Sequence, residues 1–229
     1  MTTTNNQPIG LAVDMAPAER PERVVLEGRT VTLVPLDAMA HGDDLFAAVV
    51  GHDSLWTYMS DGPFASREAF QASLGAKAQS QDPLFFAILD KQSARAVGYL
   101  TLMRIDLNNR VVEVGNILYS PRMQRSIGAT EAQYLLARHV FEDLGFRRYE
   151  WKCNDLNAPS RRAAGRYGFS FEGVFRQHMI IKGRNRDTAW YSMLDNEWPA
   201  HRVAFERWLD PSNFDAVGQQ VAPLSGFKA

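Results

Sequence analysis

The stretch Ile117-Leu-Tyr-Ser-Pro-Arg-Met-Gln-Arg-Ser-Ile-Gly-Ala-Thr-Glu-Ala132 joins an apolar strand to a long helix through a loop of small and basic residues. The start of a helix presents backbone N–H groups that have no partner within the helix, and it carries the positive end of the helix dipole. Such a junction suits an anion, and a pyrophosphate in particular. Arg122 and Arg125 add positive charge there, while Ser126, Gly128, Ala129 and Thr130 leave room for a close approach. A second helix start follows at Asn157-Ala-Pro-Ser160, with Asn157 suited to the cap and Pro159 to the first turn. No group of histidine, cysteine and carboxylate residues has metal-ligand spacing, so no metal is expected. The single cysteine, Cys153, lies in an apolar strand and reads as core packing. It cannot form an internal disulfide, which fits a reducing, cytoplasmic setting.

The elements that must position these residues are legible from periodicity. Residues 1–27, with Pro8, Pro17 and Pro21 and no periodic pattern, read as a flexible arm or a strap. Arg29 to Leu36 alternates as a short strand. A helix follows from Asp37, with Leu45, Phe46 and Val49 on one side, and another from Ser66 to about Gln79. Leu84–Leu89, Ala96–Ile105 and Arg110–Tyr119 predict an antiparallel meander, with Val112, Val114, Asn116 and Leu118 sharing one face of its third strand. Ala132, Leu135, Leu136, Val140 and Leu144 recur at helical spacing up to Gly145. Arg148–Cys153 is a strand, the Asn157 helix ends at Gly168, and strands at about 171–181 and 188–194 flank the turn Lys182-Gly-Arg-Asn185. Trp198–Leu209 is a final helix before a polar tail, and its Trp198, Phe205 and Trp208 could pack the domain or a homodimer partner. The sum is an α+β (mixed α/β) domain with one sheet, over residues 28–198, followed by a C-terminal helix and tail over 199–229.

Hydrophobic residues make up 45% and charged residues 22% of the 229, an ordinary globular composition. No apolar run is long enough to span a bilayer, and the polar start lacks the pattern of a secretory signal. The net charge of −1 hides an uneven spread, because the segment from Gly145 to Trp190 carries ten Lys/Arg against four Asp/Glu. That excess suits an anionic small ligand, and the absence of a clear run of interleaved aromatics argues against single-stranded nucleic acid.

Six separated pieces, in order, resemble the Gcn5-related N-acetyltransferases, specifically their RimJ/RimL-like branch. They are Leu26 to Leu36, Glu113 to Pro121, Gln124 to Ala132, Asn157 to Ser160, Arg166 to Phe169, and Arg184 to Asp187 with Tyr191 to Leu194. The resemblance implies a central, mostly antiparallel splayed sheet flanked by helices. It also implies acetyl-CoA, or another short acyl-CoA, as donor to a primary amine, by direct attack in a ternary complex. In that picture the pantetheine arm lies between Val111–Tyr119 and Arg148–Cys153, with the backbone of Ile117, Leu118 and Tyr119 near the carbonyl and a bulge in that region. The pyrophosphate loop runs through Gln124, Arg125, Ser126, Ile127, Gly128, Ala129 and Thr130. Aligning Gln124 first puts Ile127 where relatives carry glycine, and this register is preferred over one beginning at Arg125. A residue other than glycine serves there if its φ is negative.

The same resemblance makes Glu113 the first candidate for general base, set against a cross-strand ion pair with an arginine. Asp187 is the alternative base, set against a turn residue pairing with Arg184 or Arg186. Ser160 is the candidate donor to the departing thiolate and Asn157 a partner of the pantetheine amide, although both also suit a helix start. Many relatives use a tyrosine where this chain has Ala164, and Tyr167 reads as packing. Arg161, Arg162 and Arg166 suit either a 3′-phosphate or a solvated helix face, and His178 an ordinary packed or surface position. Trp56, Tyr58, Phe64 and Trp190 suit an acceptor pocket or buried core. The acceptor would be an amine-bearing small molecule or a protein N-terminus. Succinyl-CoA would replace acetyl-CoA where the pocket offers an arginine, and a non-catalytic acyl-CoA-binding module is the rival reading.

Overall fold

The computed structural model of the chain describes residues 3–4 and 7–227. Two short strands, β1 (Thr3–Thr4) and β2 (Gln7–Pro8), pair with each other. From Ala18 onward the N-terminal segment is a strap, because Ala18 and Glu19 donate backbone hydrogen bonds to Leu107 and Leu144 at 3.0 and 2.9 Å and the Ala18 side chain is buried.

The body is one eight-stranded sheet. Its strands are β3 (Leu26–Glu27), β4 (Val31–Pro35), β5 (Leu84–Asp90), β6 (Arg95–Asp106), β7 (Val111–Tyr119), β8 (Arg148–Asn154), β9 (Ser170–Ile181) and β10 (Arg184–Leu194). Their spatial order is β3-β4-β5-β6-β7-β8-β10-β9, and every neighbouring pair is antiparallel except β7–β8. That parallel pair needs a crossover, which α3 (Ile127–Arg138) and the π-helical turn at 139–143 supply. Helices α1 (Ala38–Val49) and α2 (Arg67–Gln79) cover one face, while α3, α4 (Ala158–Tyr167) and α5 (Trp198–Leu209) cover the other.

Strand alternation divides the core between those faces. Leu84, Phe86 and Ile88 of β5 point to the α3–α5 side, and Phe85 and Ala87 to the α1–α2 side. Trp198, Phe205 and Trp208 are almost wholly buried in the first cluster, so these side chains of α5 pack their own domain. The tail also folds back: Trp208 Nε1 donates to Gln220 at 2.8 Å, and Leu224 is buried.

Two expectations need correction. The shared face of Val112, Val114, Asn116 and Leu118 breaks at Asn116, where φ is +46°. Gly115 pairs with Thr101 and Leu118 with Tyr99, so β7 holds one more residue than β6 across that interval. The extra residue reverses the alternation. Val112 and Val114 therefore enter the α3–α5 core, and Leu118 the α1–α2 core. Gly98 of β6 allows this, because a Cβ there would press on the Leu118 carbonyl. The second correction is at the β9–β10 hairpin. β10 begins at Arg184, which leaves only Lys182-Gly183 as the turn, because Arg184, Asn185 and Arg186 pair with Ile181, Ile180 and Met179.

Candidate active site

The parallel ladder of β7 and β8 pairs Val111 to Val114 with Arg148 to Trp151 and ends there, although both strands continue. Beyond Val114 and Trp151 the sheet opens into a wedge, and the β7 bulge sits on one of its sides.

The junction expected to bind an anion lies just past the end of β7. Arg125 turns the chain with φ +60°, and Ser126 then caps α3 by accepting from the Ala129 N–H at 3.1 Å. Ile127 is the first residue of the helix and is not among the residues with positive φ, so the site does not need glycine there. Gly128 is required for a different reason. A Cβ on it would lie 2.7 Å from Val31 Cγ1, so its lack of a side chain lets α3 settle on β4. Gln124 reaches back to the Tyr119 carbonyl at 3.2 Å. Ala129 and Thr130 are buried, and the Thr130 hydroxyl accepts from Arg166 at 2.9 Å. Arg122 is spent on Asp90 at 3.1 Å, so the exposed Arg125 is the loop arginine without a carboxylate partner among the described residues. Tyr119 is anchored, its hydroxyl accepting from Gln133 at 2.8 Å.

Glu131, one turn into α3, was not singled out from sequence. Its buried carboxylate accepts from the N–H groups of Arg29 and Thr30 at 2.6 Å and of Val31 at 3.1 Å, tying the β3–β4 turn to the first turns of the helix.

On the other side of the wedge, Asn157 caps α4 by accepting from the Ser160 N–H at 3.2 Å. The Ser160 hydroxyl accepts from Trp151 Nε1 at 3.0 Å and also bonds the Cys153 side chain. Burial pushes the neighbouring Cys153 thiol up, so it is a thiol and not a nucleophilic thiolate. Tyr167 packs against Trp151 and Phe205. Arg166 lies over Tyr167 and Trp208, and Arg161 holds Asp155 at 2.7 Å, so both are engaged in structure.

Glu113 faces away from Val112 and Val114, onto the α1–α2 side of the sheet. It is buried and lies 3.0 Å from Lys152 Nζ and 3.1 Å from Arg104 Nε. Burial raises its carboxyl above the ordinary value, and the Lys152 charge opposes that rise. Lys152 also pairs with Glu150 at 2.6 Å and lies 3.8 Å from the centroid of the Trp190 ring. The network continues through Arg148 to Glu172. Glu150 and Lys152 went unnoticed in the sequence, although their spacing of two in a strand already places them on one face.

Asp187 is placed differently from expectation. Its carboxylate accepts from the Gln177 N–H at 2.7 Å and from Asn185 at 3.0 Å, and pairs with neither Arg184 nor Arg186. The backbone donor holds its pKa low, which weakens it as a base. His178 contacts the Thr188 hydroxyl at 3.0 Å and packs against Phe175 and Trp190. Trp56 and Phe64 are packed into the α1–α2 core, whereas Tyr58 bonds across the site to the Leu156 carbonyl at 3.1 Å.

Glu113 and Ser160 thus flank the wedge from opposite faces of the sheet. Among the described residues, no group of three or more His, Cys, Asp or Glu could hold a metal, and no helix is long and apolar enough to cross a membrane. A splayed mixed sheet with a helix N-terminus at its opening is the fold of an acyltransferase of the GNAT type. The family model for the acetyltransferase (GNAT) domain matches residues 30–170, and the chain belongs to this family. It resembles a GCN5-related N-acetyltransferase from Brucella melitensis, with 51% identity, a TM-score of 0.91, and 93% of this chain and 97% of the other covered. It is 30% identical over 105 residues to the Bacillus subtilis (strain 168) protein named "Putative ribosomal N-acetyltransferase YdaF", covering 46% of this chain. The chain spans 63% and 57% of the length of the curated relatives it matches. The fold is also that of RimL, a ribosomal L7/L12 alpha-N-protein acetyltransferase solved in complex with coenzyme A, with a TM-score of 0.64, 20% identity, and 76% of this chain and 99% of the other covered.

Proposed function

We propose that this chain is an N-acyltransferase that passes an acetyl group from acetyl-CoA to a primary amine by direct attack. The observation that carries the reading is the wedge between β7 and β8, with Glu113 on one face and Ser160 on the other. The residues present fit an acyl-CoA. The first-turn amides of α3 at Ile127 and Gly128 suit its pyrophosphate, and the open strand edges suit its amide-bearing arm. When bound, acyl-CoA supplies a thioester whose C–S bond breaks as the amine nitrogen bonds the carbonyl carbon, with the electron pair leaving on sulfur.

The chain's own residues divide the remaining work. Glu113 takes the proton lost by the amine, directly or through water, and its raised pKa brings it toward the operating range of a base. Ser160, oriented by Trp151, donates its hydroxyl proton toward the leaving sulfur, and Asn157 fixes the start of α4 on which Ser160 stands. The backbone of the β7 bulge, Ile117 to Tyr119, lies beside the carbonyl. Holding both reactants in one wedge removes much of the entropic barrier to their meeting.

Thiol release from acetyl-CoA and succinyl-CoA over a panel of amines tests the proposal. Release that depends on both the amine and Glu113 supports it. Coenzyme A binding without release under every pairing would instead make the chain an acyl-CoA-binding module.

A further inference from the structure

The charged groups beside Glu113 do not balance. Three carboxylates, Glu113, Glu150 and Glu172, face four cations, Arg104, Arg148, Lys152 and Arg186. Arg148 is bound to Glu150 and Glu172, Lys152 to Glu113 and Glu150, and Arg104 to Glu113. Arg186 is the odd cation. It is half-buried, its Nε donates to the Thr188 hydroxyl at 3.1 Å, and among the described residues it has no carboxylate within ion-pair distance. The nearest acid in sequence, Asp187, is turned away onto Gln177 and Asn185. Burial acts against the Arg186 cation and outweighs the favourable Glu113 charge, which is not within ion-pair distance.

Its position bears on the reaction. Thr188, two residues further along β10, pairs with Asn154 at the end of β8, so Arg186 stands just past the end of that strand, on its neighbour. Thr188 joins it to His178, which with Phe175, Arg176 and Gln177 lines an open hollow of about 620 Å³. Phe175 packs 4.5 Å from Trp190, and Trp190 lies over Lys152, so one set of side-chain contacts joins the wall of that hollow to the Glu113 pair.

Resting on the acyltransferase reading, we propose that Arg186 binds a carboxylate carried by one of the two reactants, so that this enzyme takes an anionic acceptor amine or a dicarboxylic acyl group. A planar guanidinium offers paired donors that match a carboxylate. The aromatic surfaces of Phe175 and Trp190 then flank the rest of that reactant.

Two paired assays separate the two sources. The amino acids are compared with their C-terminal amides, using acetyl-CoA. Acetyl-CoA is compared with succinyl-CoA, using the amides as acceptors. Each pair is run with the native chain and with Arg186→Gln and Arg186→Lys. Loss of a charged hydrogen bond corresponds to about a 10- to 100-fold fall in kcat/KM. That fall should appear in Arg186→Gln for the carboxylate-bearing reactant only, with partial recovery in Arg186→Lys. Equal losses for charged and neutral reactants, or a native chain indifferent to the carboxylate in both comparisons, would overturn the assignment. Calorimetric binding of N-acetylglycine and of succinate provides a readout that needs no turnover. Binding of either that is lost in Arg186→Gln supports the subsite even if no thiol is released, and binding of neither, or equal binding by both proteins, refutes it. Absence of thiol release alone counts against the acyltransferase reading.

Discussion

Lys152 Nζ stands 3.0 Å from the Glu113 carboxylate and 3.8 Å from the centroid of the Trp190 ring, with its side chain almost wholly buried. Glu113 comes from β7 and Lys152 from β8, so the contact spans the strands where they begin to part. The ammonium favours the ionised carboxylate while burial disfavours it, and burial wins. If Glu113 is the base, its protonation depends on this one neighbour more than on any other charge.

Replacing Glu113 with Gln should lower kcat by about 10²- to 10⁴-fold. In the native chain activity should rise with pH along a limb above the ordinary glutamate range, because the raised pKa keeps the base protonated to higher pH. The variant should lack that limb. An unchanged pH–rate profile would remove Glu113 from the role.

Lys152→Met removes the charge that favours the ionised carboxylate, so the same limb should move further toward alkaline pH. Breaking a buried pair on one side costs about 3–5 kcal/mol of stability, so Tm should fall as well. A lowered Tm with an unmoved limb would reduce Lys152 to a structural residue.

Ser160→Ala should reduce kcat by about 10²-fold while the KM for acetyl-CoA stays near its native value. It also leaves Trp151 Nε1 without its acceptor, at a cost of about 1–3 kcal/mol. Asn157→Ala should cost about 1 kcal/mol through the lost cap and reduce turnover by disturbing Ser160. Undiminished kcat in both variants would show that α4 only packs.

At the phosphate loop, Ile127→Gly should leave coenzyme A binding near native strength, since the helix already starts there without a positive φ. Gly128→Val should weaken both binding and stability, because the new side chain meets Val31. Calorimetry on the two variants measures this, and the reverse order would restore the glycine requirement at Ile127.

Glu131→Ala strands three backbone N–H groups at the β3–β4 turn. The expected loss is about 3 kcal/mol, which for a chain of this size lowers Tm by roughly 6–12 °C. Thermal unfolding gives the answer, and a Tm within about 2 °C of native would contradict the clamp.

Local pattern alone located most elements and the two helix starts. Ser126, Asn157, Asp37 and Ser66 all cap the helices they precede, since a short polar side chain can satisfy first-turn amides wherever it falls. The motif pieces Gln124–Ala132 and Asn157–Ser160 likewise flank one wedge. The β7 bulge was missed as a change of face, because a single residue at positive φ reverses the alternation without altering composition. The expected cross-strand ion pair of Glu113 with an arginine is present at Arg104, but Glu150, Lys152 and Arg186 were missed, because they come from two further strands and only the register makes them neighbours of Glu113.

What the sequence determined by itself is therefore the set of local conformations and the family to which they add up. Hydrophobic period, caps and turn residues act over a few positions and survive without a partner. Tertiary structure alone decided that Glu113 and Ser160 stand on opposite faces of one opening, that Arg122 is spent on Asp90, and that Arg186 has no carboxylate within ion-pair distance among the described residues. Those relations depend on distances between residues far apart in the chain. They exist only once strand pairing has set the register and burial has made each unpaired charge costly.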